Sequence, residues 1–304
     1  MRLSSKVQLI LALAAGVGAF PLDRRDVTPQ QLSSLELFSQ YAAISYCNSG
    51  NAPGQAITCN TDNCPLVRAD GAVTHVGFAT PILDTRGLIA IDPVRSLIVV
   101  SFRGSASVRN WITDASFAQI PCTLGTGCLV HAGFASAWSE VSAVVLTGVA
   151  SARAANPTYS VISTGHSLGG AVATLAAAYL REAGHPTDLY TYGSPRVGNF
   201  VFAEYVTETQ GGLGAEYRVT HTDDPVPKLP PIATNYRHLS PEYWINTDTD
   251  AVAASQIEVC TGYATLGCNA GTLGANATAH VWYFGPISGC GPDELILPFE
   301  VRNT

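Results

Sequence analysis

Charged side chains are scarce in this sequence, and basic ones are the scarcest. Of the 304 residues, 13% are Asp, Glu, Lys or Arg, and the formal net charge is −7 at pH 7. A chain with this charge is repelled by nucleic acids and by strongly anionic membranes, which excludes both as partners. Hydrophobic residues reach 47% and supply ample material for a core. The composition favours a compact, secreted protein and is compatible with an uncharged substrate.

The sequence also lacks internal repeats, low-complexity segments and any linker that would divide it. One N-terminal apolar run, at 7–17, follows Arg2 and Lys6 and ends at small residues, which is typical of a secretory signal and too short to span a bilayer. We predict a signal peptide at 1–19, a propeptide at 20–25 and a single domain at 26–304. The propeptide would end at Arg24-Arg25, unless these are an ordinary arginine pair. Its removal with the signal takes away four basic residues and one acid, which lowers the net charge from −7 to −10.

No pair of cysteines has the C-x-x-C spacing of a zinc site, and no histidine pattern accompanies them. There are eight cysteines, and an even number in a secreted chain predicts disulfides, although spacing alone does not fix their connectivity. Three pairs are close in sequence, and local pairing would leave Cys47 and Cys290 to join the two ends of the mature chain. The close pairs are Cys59/Cys64, Cys122/Cys128 and Cys260/Cys268.

The segment 159–180, YSVISTGHSLGGAVATLAAAYL, carries the strongest functional signal. A β-branched run precedes G-x-S-x-G and an alanine-rich run follows it. The motif alone can occur by chance. A strand before it and a helix after it are the context of a nucleophile elbow, which places Ser167 at the tip of a strained turn. Gly165 and Gly169 fit where strand and helix pass closely, and Gly170 allows tight packing. The helix N-terminus would face an oxyanion formed at Ser167.

Predicted strands and helices alternate along the chain. Thr28 can cap a helix over 28–46, and Pro29 suits its first turn. The run SLIVVSFR at 96–103 is typical of a strand buried on both faces. Alternation from 96 to 222 predicts an α/β fold with a mostly parallel sheet. The other predicted elements are strands at 75–80, 87–92, 188–192 and 216–222 and helices at 134–155, 168–183 and 199–209.

A short segment at 107–117, SVRNWITDASF, directly follows the apolar strand and combines Trp111 with polar neighbours. A short amphipathic helix here would cover Ser167, with its apolar face turned inward in water and outward at an oil surface. The alternative interpretation is an ordinary connecting helix that places Trp111 in the core.

An elbow serine needs an acid that follows it in the chain and a histidine after that. Asp223 and Asp224 come after the strand YRVTHT, at the end of the strand where open α/β sheets bind ligands. Spacing does not separate the two, and either could instead be a turn residue or a helix cap.

Two histidines follow these acids, and each could be a structural histidine. His280 precedes an aromatic run, AHVWYFG, and is favoured as the base over His238, which lies in the polar loop YRHLSPEYW. His166, inside the elbow, points away from the nucleophile if Ser167 is at the tip. We interpret it as a packing or hydrogen-bonding neighbour.

Six segments of the chain form a more specific pattern than any one motif. In order they read SFRGS, GHSLGG, YGSPRVGN, THTDDPVPKLPP, SPEYW and AHVWYFG. Together they resemble the secreted filamentous-fungal lipases, the class 3 lipase family of the Thermomyces and Rhizomucor type, over residues 32–290. The resemblance implies an α/β-hydrolase-like fold, with a mostly parallel central sheet and helices on both faces, and a lipase catalytic domain.

The resemblance also implies roles for single residues. Ser167 matches the family nucleophile, Asp224 the triad acid and His280 the triad base. Ser105, which closes SFRGS, and Leu168 match the residues of the oxyanion hole. The segment around Trp111 matches the lid. Matching disulfides are Cys47–Cys290, Cys59–Cys64 and Cys122–Cys128, and Cys260–Cys268 is an extra pair here.

The function that follows is that of a secreted triacylglycerol lipase, a monomer that cleaves glyceride esters at an oil–water interface through an acyl-enzyme. No metal, cofactor, nucleic acid or stable membrane insertion is expected. Feruloyl esterases are close relatives with a more polar lid, so a soluble-substrate esterase is the alternative, and Trp111 favours the lipase. A lipid-binding protein without activity is a second alternative, but such a protein usually lacks one residue of the triad.

Asn276-Ala277-Thr278 is a glycosylation sequon four residues before His280.

Overall fold

The centre of the protein is an eight-stranded sheet, in a computed structural model that describes residues 27–59, 63–105 and 116–290. The predicted signal peptide and propeptide, and Trp111 of the predicted lid, lie outside the described residues. The described strands, in chain order, are β1 (Val73–Ala79), β2 (Arg86–Asp92), β3 (Leu97–Phe102), β4 (Gln119–Pro121), β5 (Leu129–His131), β6 (Ser160–His166), β7 (Thr187–Tyr192), β8 (Glu216–His221), β9 (Glu242–Ile245) and β10 (Ile257–Cys260).

Most of the sheet is parallel, as the sequence predicts. Its strand order is β1-β2-β3-β6-β7-β8-β9-β10, and the five strands from β3 to β9 in this order run parallel. β1 and β2 at one edge and β10 at the other pair antiparallel, and β4 with β5 forms a separate hairpin. The carboxyl ends of the parallel strands therefore meet at one edge of the sheet, which is where open α/β sheets place their ligands.

Helices cover both faces of this sheet. Alternate residues of β3 enter two separate cores: Ile98 and Val100 pack with α3 and α4, whereas Val99 packs with α1. This period of two is that of a strand buried on both faces. The described α-helices are α1 (Pro29–Asn48), α2 (Pro65–Ala69), α3 (Ala132–Ala155), α4 (Leu168–Glu182), α5 (Phe200–Glu204) and α6 (Ala277–His280).

The first helix begins where the sequence predicts. Thr28 is its N-cap: the Thr28 hydroxyl accepts from the Gln31 N–H at 3.2 Å, and the Gln31 side chain accepts from the Thr28 N–H at 3.0 Å. Pro29 occupies the first turn, where its missing N–H costs nothing. This reciprocal pair satisfies two of the donors that a helix start leaves unpaired.

The long helix α3 is apolar enough, by length and composition, to cross a membrane. Its position in the fold gives that composition a different reason. Phe134, Val141, Val145 and Val149 are fully buried against the sheet and α4. A helix with a buried apolar stripe of this kind is part of a core.

The predicted helix over 199–209 is divided in the structure. α5 ends at Glu204, and one π-helical turn follows at Tyr205–Thr209. Gln210 closes that turn by donating its backbone N–H to Tyr205 O, and its buried side chain donates to Ala178 O of α4 at 3.0 Å. The wider turn lets Gln210 reach α4, a tertiary contact that local sequence does not reveal.

All eight cysteines form disulfides, in the pairing predicted from the sequence. One bridge spans 243 residues and joins the end of α1 to residue 290. The other three close short loops. The four bridges are Cys47–Cys290, Cys59–Cys64, Cys122–Cys128 and Cys260–Cys268.

Candidate active site

Ser167 lies at a sharp turn between β6 and α4. Its backbone has φ 56° and ψ −128°, in the half of φ/ψ space that residues with a side chain rarely adopt. A Cβ on Gly165 would lie 2.3 Å from Gly169 O, and one on Gly169 would lie 2.2 Å from Phe102 O. The two glycines of the motif are therefore required by the close approach of strand and helix, as the nucleophile elbow predicts.

Asp224 and His280 are brought together across 56 residues of the chain. Asp224 follows β8, and His280 is the last residue of α6. Both are buried, and His280 Nδ1 lies 3.0 and 2.9 Å from the two carboxylate oxygens of Asp224. A carboxylate accepts, so Nδ1 carries the proton and Nε2 is left as the basic nitrogen. Nε2 is buried and has no hydrogen-bond partner among the described residues.

Two more groups hold the Asp224 carboxylate. The Tyr283 hydroxyl donates to Oδ2 at 2.5 Å, and the Val226 N–H donates to Oδ1 at 2.9 Å. Gly193, at φ 57°, packs against the same carboxylate. A Cβ there would lie 2.9 Å from Asp224 Oδ2 and 3.0 Å from His280 Nδ1, so only glycine leaves room for this pair.

The structure separates the two adjacent acids that spacing could not. Asp223 is half-buried and its carboxylate faces Gly274, where a Cβ would lie 1.8 Å from Asp223 Oδ2. Asp224 is fully buried and contacts the histidine. Of the two acids, Asp224 is therefore the one that contacts His280.

His166 links the elbow to the histidine loop through its two ring nitrogens. Nε2 lies 2.7 Å from His280 O, and since a carbonyl only accepts, Nε2 carries the proton. Nδ1 then accepts from the Tyr46 hydroxyl at 2.7 Å. Burial, with the neighbouring His280 ring, lowers the pKa of His166 well below its ordinary value, so the ring is neutral. His166 therefore has a hydrogen-bonding role beside the elbow, to Tyr46 and to the backbone of His280.

The end of β3 packs directly on the elbow. A Cβ on Gly104 would lie 3.2 Å from the Cβ of Ser167 and 2.3 Å from the Tyr46 hydroxyl. Ser105 is the next residue, and Leu168 begins α4, whose first N–H groups are not used within the helix. The two residues expected to form an oxyanion hole therefore come from different parts of the chain, one just after β3 and the other at the start of α4.

His238, the alternative base, is buried and held by hydrogen bonds to backbone carbonyl groups. Its Nε2 donates to Pro227 O at 2.7 Å, and its backbone N–H donates to Tyr263 O. Burial, with the charges of Arg218 and Arg196, lowers the pKa of His238 well below its ordinary value. The ring is thus a buried, neutral hydrogen-bond donor.

Tyr46 and Tyr283 belong to this site, but sequence reasoning did not find them. Tyr283 lies within AHVWYFG, three residues after His280. The aromatic run stands out in the sequence, but the sequence does not indicate a role for this side chain. Tyr46 is 120 residues from His166, its partner, so only the packing of α1 on the sheet brings them together. Asn276, the predicted glycan acceptor, is the N-cap of α6.

Comparison with known proteins identifies the family. The family model described as "Lipase (class 3)" matches residues 99–234. The chain is 51% identical to a secreted mono- and diacylglycerol lipase of Fusarium solani, over 90% of this chain and 81% of that one. It is 34% identical to a lipase of Rhizomucor miehei, over 87% of this chain and 72% of that one.

A solved structure shares the fold as well as the sequence. The crystal structure of a mono- and diacylglycerol lipase from Aspergillus oryzae superposes with a TM-score of 0.81 at 40% identity, covering 86% of this chain and 98% of that one. These matches confirm the α/β-hydrolase-like fold, the lipase class and secretion. The chain therefore belongs to the class 3 lipase family and is a secreted ester hydrolase of that family.

Proposed function

We propose that this lipase cleaves glyceride esters by two-step acyl transfer, with Ser167 as nucleophile, His280 as base and Asp224 as the acid that orients His280. The observation that carries the proposal is the His280–Asp224 contact: both carboxylate oxygens accept from Nδ1, which leaves Nε2 without a partner among the described residues. A histidine that activates a nucleophile must be oriented through one ring nitrogen and must keep the other ring nitrogen free to accept the proton.

In the first step, Ser167 Oγ attacks the ester carbonyl and His280 Nε2 takes the hydroxyl proton. Asp224 stabilises the resulting imidazolium. The oxyanion accepts from the Leu168 N–H and from the N–H and hydroxyl of Ser105. Loss of one such donor typically costs about a hundred- to thousand-fold in rate. His280 then gives its proton to the departing alkoxide, which leaves as the alcohol.

In the second step, water replaces the alcohol. His280 takes a proton from water as the hydroxide attacks the acyl carbonyl, the tetrahedral intermediate collapses, and the proton returns to Ser167 Oγ. The products are the fatty acid and the free enzyme. His280 carries each proton in turn, from Ser167 to the leaving alcohol in the first step and from water back to Ser167 in the second.

We further propose that mono- and diacylglycerols are the preferred substrates within the glycerides. Support comes from the relatives in Fusarium solani and Penicillium cyclopium, 51% and 43% identical, which are named secreted mono- and diacylglycerol lipases. The test is initial rates on monoolein, diolein and triolein emulsions of equal surface area. Faster cleavage of the partial glycerides is expected. Equal or faster cleavage of triolein would return the assignment to a triacylglycerol lipase.

Interfacial action is the second part of this proposal. The protein would act as a monomer that adsorbs to the oil surface, with the segment around Trp111, which lies outside the described residues, as its lid. Rates on tributyrin should rise sharply once its solubility limit is passed and droplets form. Saturation below that limit would instead favour a soluble-substrate esterase, and methyl ferulate would be the next substrate to assay.

A fluorophosphonate serine probe separates the enzyme from a lipid-binding protein on the same fold. The proposal expects the probe to label the wild-type protein. It expects no serine of the Ser167→Ala variant to be labelled. A wild-type protein that resists the probe would favour the binding protein.

A further inference from the structure

The helix that bears His280 is very short and depends on its neighbours. α6 has four residues, Ala277–His280. A single turn has no stability of its own in water, because nucleation costs more than one turn regains. The direction of the His280 ring therefore depends on what holds the two ends of this turn.

The C-terminal end of α6 is held by buried side chains. His166 Nε2 donates to His280 O at 2.7 Å, and Nδ1 of His221 lies 3.0 Å from Ala279 O. Both of these histidines are buried. This end belongs to the core of the site.

The N-terminal end is held by one side chain, that of Asn276. Its Oδ1 accepts from the Thr278 N–H at 3.0 Å and from the Ala279 N–H at 3.4 Å, and it also accepts from the Thr278 hydroxyl. Two of the N–H groups that a helix start leaves unpaired are thus satisfied by one oxygen.

Asn276 is also fixed to the loop that carries the acid. Its backbone N–H donates to Asp223 O at 3.2 Å. The residues just before it are tied to the same loop, because Lys228 Nζ donates to Thr272 O at 3.0 Å and to Gly274 O at 2.7 Å. Asn276 therefore joins the loop of Asp224 to the helix of His280.

We propose that Asn276 is a positioning residue for His280, and that the same side chain carries an N-linked glycan without losing this role. The first half rests on the proposed function of His280. Asn276-Ala277-Thr278 is the one N-x-S/T sequence in the chain whose middle residue is not proline. The two roles use different atoms of one amide: Oδ1 caps the helix, and Nδ2 has no hydrogen-bond partner among the described residues.

The glycosylation chemistry leaves the cap intact. Nδ2 attacks the anomeric carbon of an oligosaccharide carried on a lipid diphosphate. The bond from that carbon to the diphosphate oxygen breaks, and the amide nitrogen gives up one proton as the lipid diphosphate departs. The product is still an amide, so Oδ1 keeps both lone pairs and can accept as before.

Four variants separate the two roles. Asn276→Ala and Asn276→Gly lose both the cap and the glycan. Asn276→Asp keeps a carboxylate oxygen for the cap and loses the glycan, and Thr278→Val loses the glycan and keeps Oδ1. Gly is included because it is tolerated at a helix start better than Ala, so this variant remains folded if the Ala variant does not.

The readout is kcat on p-nitrophenyl butyrate per active site titrated with a serine probe. For Asn276→Ala and Asn276→Gly we expect kcat to fall about 10- to 100-fold with KM within about twofold, because small displacements of a reacting group cost rate rather than binding. Asn276→Asp and Thr278→Val should stay within about threefold of wild type. Equal kcat in Asn276→Gly and Asn276→Asp would overturn the positioning role.

A matched control removes a cap far from the site. Thr28→Ala takes away the cap of α1 and should lower stability without changing kcat per titrated site. A fall in kcat as large as that of Asn276→Gly would mean that loss of any cap has this effect, and would overturn the proposal. His280→Ala keeps the two failures apart: substantial activity in that variant would refute the proposed base and not the cap.

The glycan is tested without activity. Intact mass of the secreted wild-type protein should fall on treatment with an endoglycosidase, and the masses of Asn276→Asp and Thr278→Val should not. An unchanged wild-type mass would overturn the glycan half of the proposal, while the kcat comparison decides the other half.

Discussion

The phenolic hydroxyl of Tyr283 donates a 2.5 Å hydrogen bond to Oδ2 of Asp224, the oxygen that also lies 2.9 Å from His280 Nδ1. Burial and the charge of Asp224 raise the pKa of Tyr283 well above its ordinary value, so the phenol remains a donor throughout the working range of a secreted enzyme. The Tyr283 bond holds Oδ2 of the carboxylate, and the Val226 N–H holds Oδ1.

Tyr283→Phe should therefore weaken both the fold and the site. A hydrogen bond to a charged group contributes about 1.5–3 kcal/mol, so we expect the free energy of unfolding to fall by about 2 kcal/mol. With Oδ2 left to one donor, the carboxylate is less firmly oriented, and kcat should fall about tenfold. Urea unfolding and kcat on p-nitrophenyl butyrate measure the two effects. A variant with wild-type stability and kcat would contradict the account.

Two substitutions at Ser167 separate its chemistry from its backbone. Ser167→Ala and Ser167→Gly should both lose at least about 10⁴-fold in kcat, because each removes the nucleophile. Their stabilities should differ: at φ 56°, Gly relieves strain that Ala retains, so the Gly variant should be more stable by about 1 kcal/mol. Denaturant unfolding compares the two. Appreciable turnover by either variant would refute the nucleophile.

Alanine substitutions at the two histidines should differ in their effect on kcat. His280→Ala should lose about 10⁴-fold in kcat, and because it removes a buried ring and a donor to the Asp224 carboxylate, it should also cost about 2 kcal/mol of stability. His238→Ala leaves Pro227 O without its donor and opens a cavity, so it should cost about 2 kcal/mol of stability and keep kcat per folded molecule within about threefold. The measurements are kcat on titrated protein and urea unfolding. If His238→Ala is the less active of the two, the assignment of the base is wrong.

Sequence patterns predicted the elbow and most of the sheet because each signal is local. A strand, G-x-S-x-G and a helix occupy consecutive residues, and Gly165 is required by a contact within that unit, with Gly169. The close contact of Gly169 is with Phe102 of the neighbouring strand β3. The choice between Asp223 and Asp224 was not local. Neighbouring residues in a turn point in different directions, and only the arrival of α6 decides which one meets a histidine.

The contacts that sequence did not predict are those made across the fold. Tyr46 contacts His166, which lies 120 residues away in the chain. The cap made by Asn276 bears on the active site only because α6 ends at His280. In the sequence, Asn276 stood out as a sequon and not as a helix cap. Local patterns identify which residues are chemically able to act, and packing decides which of them meet.

The disulfides offer a prediction that depends on loop length. The Cys47–Cys290 bridge closes 243 residues, and Cys122–Cys128 closes 6. In the chain-entropy description, the longer loop contributes about 5 kcal/mol and the shorter about 2 kcal/mol. The double variant Cys47→Ser/Cys290→Ser should therefore lose more unfolding free energy than Cys122→Ser/Cys128→Ser in urea titrations. Equal losses would mean that residual structure in the unfolded chain outweighs loop closure.

A buried ion pair away from the active site predicts how stability changes with pH. Arg181 Nη1 lies 2.6 Å from Glu216 Oε1, yet burial outweighs the arginine and raises the pKa of Glu216 from 4.5 to about 7. Between these values the folded protein holds a proton that the unfolded chain has released. The stabilisation from this group is complete below pH 4.5 and is lost as pH rises through about 7.

Glu216→Gln removes the titration and keeps a side-chain oxygen that can accept from Arg181. Relative to this variant, the wild-type protein should lose roughly 3 kcal/mol of unfolding free energy between pH 4.5 and pH 8, since each unit of pKa shift corresponds to about 1.4 kcal/mol. Urea titrations of both proteins across this range measure the difference, in which the other titrating groups cancel. Parallel curves would mean that the arginine keeps Glu216 ionised throughout, and that its pKa in the folded protein is not raised.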